Sequence, residues 1–182
     1  MKTQKWISFI LVLILALYIG ACNKNSKSGA PPAPESAPQT PATREVTLYF
    51  SDDQAMYLVA EKREVQLEKD DAQVLASAVI NQLIAGPVSS KLIRTIPPEC
   101  RLLSLKVENG LATVDFSREL QTRHWGGSTG EQHTLCSIVN SLTELPGVQK
   151  VQLLIEGEKQ ETLKGHMDIS QPMTRDDSII KK

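Results

Sequence analysis

Residues 102–120, which read LLSLKVENGLATVDFSREL, carry the clearest structural pattern in the chain. Apolar residues occupy every second position before Asn109-Gly110, and again after it. Alternation with this period is typical of a strand with one buried face. An Asn-Gly pair favours the tight turn of a hairpin, because both of its residues readily adopt positive φ. The stretch therefore predicts an antiparallel β-hairpin with one apolar face.

Before the hairpin, the sequence predicts two strands and a helix. Residues 46–50 alternate like a half-buried strand, and residues 56–66 indicate a second, more exposed strand or hairpin. A helix follows, with Asp70 as its predicted N-cap and a stripe of apolar residues at helical spacing. Gly86-Pro87 is a typical signal for its end.

After the hairpin, the sequence predicts a loop over residues 117–128, then a second helix and a final strand. Thr129 and Gln132 have the spacing of a capping box, which would open the helix. Pro146-Gly147 would end it, and residues 151–155 alternate as a strand.

The predicted order is β(β)αββαβ, and nearly every strand has one apolar and one polar face. A sheet of this kind needs helices on its apolar side only. We therefore expect an α/β (α+β) two-layer sandwich, with two helices on one face of a mostly antiparallel sheet and the other face exposed to water.

The start of the chain indicates export and lipidation. Lys2 and Lys5 precede an uncharged run over residues 7–21, which is shorter than a comfortable membrane span and has the length of a signal-peptide core. Ile19-Gly20-Ala21-Cys22 resembles the bacterial lipobox, so we expect cleavage after residue 21 and acyl chains such as palmitate on Cys22. The alternatives are an ordinary cleaved signal or an uncleaved anchor.

The next segment has the composition of a spacer. Residues 23–44 contain five prolines and no large apolar residue, so they cannot offset the entropy of ordering. The predicted organisation is therefore a signal peptide, a lipidated cysteine with a disordered Pro-rich linker, a folded domain and a polar C-terminal tail. Their bounds are 1–21, 22–44, 45–175 and 176–182.

One loop has the residue types of a binding site. Arg123, His124 and Trp125 precede two glycines at the predicted start of the second helix. The Trp125 ring could stack on a sugar, and free backbone N–H groups at a helix start can hold an anion. The alternative, which we favour, is that Trp125 folds back onto the domain and the glycines only permit the turn.

A metal site is a weaker hypothesis. His133 and Cys136 would share one helix face, and His124 and Cys100 could in principle complete four ligands. Their spacing matches no standard zinc pattern, so we predict no metal and no cofactor. Outside the cytoplasm Cys100 and Cys136 could also form a disulfide; two free thiols are the favoured alternative.

A catalytic site is a further hypothesis. Ser128, His124, His133, Asp115 and Glu131 include the residue types of a nucleophilic hydrolase. The chain has no Gly-x-Ser-x-Gly motif and no phosphate-binding glycine-rich loop. We therefore predict no catalytic residue and no enzyme.

The ordered set of segments resembles the GerM-type sporulation and spore germination domain, called GerMN. The resemblance extends over residues 46–175 and implies an extracytoplasmic protein, commonly a lipoprotein, with a small domain similar to ring-building modules and a link to sporulation, germination or the cell wall. It supplies no catalytic residues. The segments that carry it are Leu48-Tyr49-Phe50, Leu83-Ile84-Ala85-Gly86-Pro87, Ile96-Pro97, the hairpin quoted above, Ile138 to Thr143, Leu145-Pro146-Gly147-Val148, VQLLIEG and GHMDISQPMTR.

These observations predict a membrane-anchored extracytoplasmic lipoprotein whose domain is a non-catalytic interaction module. Its partner would be an envelope protein or a second copy. The alternative is a peptidoglycan-binding module that uses the Trp125 loop, and a cell-wall hydrolase comes third. The anchor would lie in the cell membrane, or in the outer membrane facing the periplasm in a two-membrane cell. A formal net charge of -1 gives no basic surface for nucleic acid.

Overall fold

The computed structural model describes residues 41–182. The predicted signal peptide, the lipidation at Cys22 and the linker as far as residue 40 lie outside the described residues. Within them the chain forms seven strands and three helices, which confirms the predicted mixed α/β class with mostly antiparallel strands. The elements are β1 Ala42–Asp52, β2 Leu58–Leu67, α1 Ala72–Ala85, β3 Leu92–Ile93, β4 Leu102–Glu108, β5 Leu111–Phe116, α2 Glu119–Thr122, α3 Ser128–Thr143, β6 Lys150–Ile155 and β7 Met173–Thr174.

The predicted hairpin is present as β4 and β5. The strands pair antiparallel from Glu108 opposite Leu111 outward, and both turn residues have positive φ, 50° at Asn109 and 81° at Gly110. A register irregularity lies between Leu102 and Ser104. Local turn chemistry and alternation are therefore sufficient to fix this part of the fold.

The strands form two sheets rather than the single sheet that was predicted. Their orders are β2-β1-β3 and β4-β5-β6-β7, with β5 and β6 parallel. The cause lies at one edge of β1, which pairs with β3 only at Ser51 and Asp52. Beyond that point α3 lies along the strand, and the Tyr49 N–H donates to Ser141 Oγ over 3.0 Å. A helix hydroxyl thus replaces a strand partner for a buried backbone group.

Helix α3 is buried on almost all sides. Its apolar stripe packs in the core, and its polar side chains Ser137, Asn140 and Ser141 are also buried. Ser137 and Ser141 contact β1, while Asn140 Nδ2 donates to the carbonyl of Asp176 over 2.7 Å. Both polar and apolar sides of α3 therefore hold the two sheets in place.

The helix starts differ from the predicted ones. Asp71, not Asp70, is the N-cap of α1, because its carboxylate accepts from the N–H groups of Gln73 and Val74. Asp70 instead forms an ion pair with Arg44. The predicted capping box at the start of α3 is wrong as well, since Gly127 is the N-cap and no side chain caps that helix.

The ends of the domain are more ordered than the sequence suggested. Strand β1 begins at Ala42, three residues before the predicted boundary, because Ala42 pairs with Leu67. In the predicted polar tail, Ile179 is buried and its carbonyl accepts from the Leu58 N–H over 2.8 Å. Across residues 41–182, none of the helices combines the length and the apolar character that crossing a membrane requires.

Candidate functional site

A cavity of about 440 Å³ lies at the start of α3. Its walls come from the end of β1 and the turn after it, from Ile93 to Thr95, from the loop at Trp125 and from the first two turns of α3. This volume falls in the range of small-ligand clefts. Two of the elements that form it, β1 and α3, also contribute residues to the hydrophobic core.

Trp125 forms one wall of this cavity and is 44% exposed. The ring stacks on His124, with ring centroids 6.2 Å apart and an interplanar angle of 22°. Of the three residues predicted for binding, Trp125 lines the cavity and His124 supports it from behind. Arg123 is exposed at the C-terminal end of α2 and is not part of the lining.

The orientation of His124 follows from its hydrogen bond. Thr134 Oγ1 has one proton, which it donates to the carbonyls of Thr95 and Gly130 at 2.6 and 3.0 Å. It must therefore accept from His124 Nε2, 2.9 Å away. Burial lowers the pKa of His124, so the neutral ring with its proton on Nε2 is the stable form at neutral pH.

A second buried histidine lines the cavity beside the end of β1. Ser51 Oγ donates to the Asp52 carbonyl over 3.0 Å, so it can only accept from His133 Nδ1, which is 2.9 Å away. Burial lowers the pKa of His133, although the nearby Asp52 raises it in part. The neutral ring then carries its proton on Nδ1 and has a free lone pair on Nε2.

Asp52 combines a structural bond with a free oxygen. Its Oδ1 accepts from the N–H groups of Met56 and Tyr57, at 2.8 and 3.3 Å, and so holds the turn after β1. Burial would raise the pKa of Asp52, but these N–H groups hold it below its usual value. Oδ2 has no hydrogen-bond partner among residues 41–182, and the side chain lines the cavity.

Ser51 and Asp52 are not among the residues that the sequence predicts for a site. They lie 82 and 81 positions from His133, and only the packing of α3 against β1 brings them together. The available signal was Ser-Asp-Asp at the end of a strand, but this pattern is also typical of an ordinary turn.

Glu131 holds a loop and does not face the cavity. Its carboxylate is fully buried and accepts five hydrogen bonds, from the N–H groups of Leu163, Lys164, His166 and Met167 and from His166 Nδ1, at 2.9 to 3.2 Å. Burial would raise the pKa of Glu131, but these donors lower it. This residue anchors the loop over 163–167 to α3.

The other residues considered for chemistry are not gathered into a site. Cys100 and Cys136 are both buried, free thiols. Among residues 41–182, no group of three or more His, Cys, Asp or Glu side chains lies close enough to hold a metal ion.

Comparison with known proteins places this geometry in context. The model of the Germane family, which is described as sporulation and spore germination, matches residues 47–161. The spore germination protein GerM of Bacillus subtilis (strain 168) is 29% identical over 149 residues, covering 76% of this chain and 38% of that protein. The chain thus spans about 38% of the length of this curated relative.

Solved structures show the same fold. A candidate lipoprotein from Clostridium perfringens is 27% identical, with 72% of this chain and 87% of that chain covered and a TM-score of 0.54. The tandem GerMN domains of the B. subtilis sporulation protein GerM are 24% identical over 77% and 48% of the two chains, with a TM-score of 0.61. The first of these domains alone is 22% identical, with 72% of this chain and 98% of that chain covered and a TM-score of 0.60.

Proposed function

Because this chain belongs to the Germane family of sporulation and spore germination domains, we propose that it is a lipid-anchored extracytoplasmic protein. Its domain serves as a non-catalytic interaction module in an envelope process of the sporulation or germination type. The sporulation or germination role rests on the family and on the similarity to the spore germination protein GerM.

The anchor is supported by the N-terminal residues. A short basic start, an uncharged run and the lipobox-like Ile19-Gly20-Ala21-Cys22 together favour a lipid on Cys22. The similarity to a candidate clostridial lipoprotein agrees with this. The following Pro-rich residues would act as a semi-rigid spacer of about 3 Å per residue, which holds the domain away from the membrane surface.

A non-catalytic role is supported by the bonds of the candidate catalytic groups. Both oxygens of Glu131 accept structural hydrogen bonds, so this residue is a poor proton donor or acceptor. The Ser51 hydroxyl contacts a histidine, but its proton is bonded to the Asp52 carbonyl and its side chain is 5% exposed. Such a serine is badly placed to attack a substrate.

The observation that carries the interaction role is the position of β2. This ten-residue strand is at the outer end of its sheet, and residues 58–67 pair with β1 on one side. On the other side, the C-terminal residues reach it only near Leu58. Ala60, Lys62, Glu64 and Gln66 alternate along β2 on the face of the sheet that is exposed to solvent.

An outer strand can pair with a strand of another chain through its backbone. The mixed charges of Lys62 and Glu64 discourage unspecific pairing and favour a partner with the complementary order of charges. We therefore place the partner, an envelope protein or a second copy of this chain, along β2.

The test is photo-crosslinking in cells of the full-length chain. A photoreactive residue replaces Lys62 on β2, and a matched chain carries it at Lys159, which is also an exposed lysine but lies in a loop. We expect a discrete protein adduct from position 62 that is absent from position 159. Its mass separates a second copy from a different protein. Equal, diffuse labelling from both positions would contradict a partner at β2.

A further inference from the structure

We propose that the cavity at the start of α3 binds a neutral, hydroxyl-rich sugar ring of an envelope glycan, with Trp125 as the stacking surface. The proposal is independent of the interaction role of β2, because it concerns a different surface.

Two largely buried side chains each bring to the cavity an acceptor atom that has no protein partner. His133 is 4% exposed, and its Nε2 has no hydrogen-bond partner within residues 41–182. Asp52 is 6% exposed, and its Oδ2 also has no hydrogen-bond partner within residues 41–182. Both side chains line the cavity. Both atoms are therefore free to accept a hydrogen bond from a ligand in the cavity, and a ligand with donor groups suits them.

Hydrogen-bond donors lie on the adjoining wall. The first intrahelical bond of α3 runs from the Glu131 N–H to the Gly127 carbonyl, and no side chain caps the helix. The N–H groups of residues 128–130 therefore keep their hydrogen-bonding capacity. Gly127, Thr129 and Gly130 all line the cavity.

The apolar part of the site suits a ring. Trp125 is held from behind by His124, and Ile93 lines the cavity at 46% exposure. A ring with C–H groups on its faces and hydroxyls around its edge can stack on Trp125 while its hydroxyls reach both donors and acceptors. A hydroxyl is itself both a donor and an acceptor, which matches this mixed lining.

The charges around the cavity favour a neutral ligand. Asp52 and Asp53 line it and would repel an anion. Arg94 is also a lining residue, but its guanidinium is bonded to the carbonyls of Ile84 and Ala85 at the end of α1. A cation would in turn face the positive N-terminal end of α3. A sugar ring avoids both costs.

The experiment is isothermal titration calorimetry of the full-length chain in a detergent without sugar headgroups, using tetra-N-acetylchitotetraose as the probe. Trp125→Ala removes the stacking surface, and Asp52→Asn turns one acceptor into a donor. Leu103→Ala is the matched control, since Leu103 is 45% exposed and lies on β4. Inorganic phosphate and trilysine serve as anionic and cationic probes, and circular dichroism checks the fold of each variant.

We expect saturable binding of the oligosaccharide, weakened about tenfold or more by Trp125→Ala and by Asp52→Asn and unchanged by Leu103→Ala. Absence of oligosaccharide binding to the folded wild-type chain would overturn the proposal. So would equal binding by all variants, or Trp125-dependent binding of phosphate or trilysine alone. Failure here leaves the crosslinking result from β2 unaffected.

Discussion

Replacing Glu131 by glutamine should lower the free energy of unfolding by about 2–4 kcal/mol at pH 7. The native carboxylate is fully buried and serves five donors of the loop over 163–167. The glutamine amide preserves the most hydrogen bonds when its oxygen takes the place of Oε1. It then still accepts from the N–H groups of Leu163, Lys164 and Met167. Its NH₂ group then faces the His166 N–H and Nδ1, where an oxygen had accepted.

The magnitude follows from these two lost bonds. A hydrogen bond to a charged group contributes about 1.5–3 kcal/mol. The His166 side chain is 46% exposed, so in the variant water can replace part of the hydrogen bonding that His166 loses. Glu131→Ala would leave all five donors without their acceptor and should cost about 3–5 kcal/mol, a large part of the 5–15 kcal/mol typical of a domain.

The effect should depend on pH with a definite sign. The pKa of Glu131 is lower in the folded than in the unfolded chain. Its contribution to stability is therefore fully present above the unfolded pKa of about 4.3 and is lost as the pH falls through the folded pKa. Glutamine does not titrate, so the stability difference between wild type and variant should shrink below about pH 4.

The assay is urea unfolding of wild type, Glu131→Gln and the control Glu158→Gln at several pH values from 7 to 3. Glu158 is exposed, so its variant should lie within about 0.5 kcal/mol of wild type. A Glu131→Gln difference below about 1 kcal/mol at pH 7, or one that stays constant down to pH 3, would refute the reasoning.

Two further predictions concern the Trp125 loop and the thiols. Gly130→Ala should destabilise the chain by about 1–3 kcal/mol in urea unfolding, because its Cβ would lie 2.7 Å from the Trp125 carbonyl oxygen; an unchanged midpoint would contradict this packing. Burial raises the pKa of Cys100 to about 12 and that of Cys136 to about 11, so a disulfide reagent should modify both slowly in the native chain and rapidly in denaturant. Fast native labelling would show that they are accessible.

Local chemistry made much of the fold predictable. The Asn109-Gly110 turn and the stop at Gly86 depend on residues that neighbour each other in sequence, and both are present in the structure. The N-cap of α1 is ambiguous in the sequence because two aspartates adjoin there, and the distant Arg44 binds one of them. That choice depends on a strand 26 residues away, which no local pattern contains.

The second sheet and half of the candidate site were not predictable for the same reason. Ser137 and Ser141 look like the solvent side of a helix, yet both are buried against β1. Trp125 was found from its glycine-rich surroundings. Its partners in the cavity, Asp52 and His133, meet only because α3 packs beside the end of β1.

The proposed role depends most on the claim that Cys22 carries the lipid that holds this domain at a membrane. Intact-mass spectrometry of the chain purified from cell membranes tests it directly. The account predicts a mature chain that begins at Cys22 and carries the added mass of acyl chains. The Cys22→Ser variant should lack this added mass. A chain that begins elsewhere, or that begins at Cys22 without acyl groups, would contradict it.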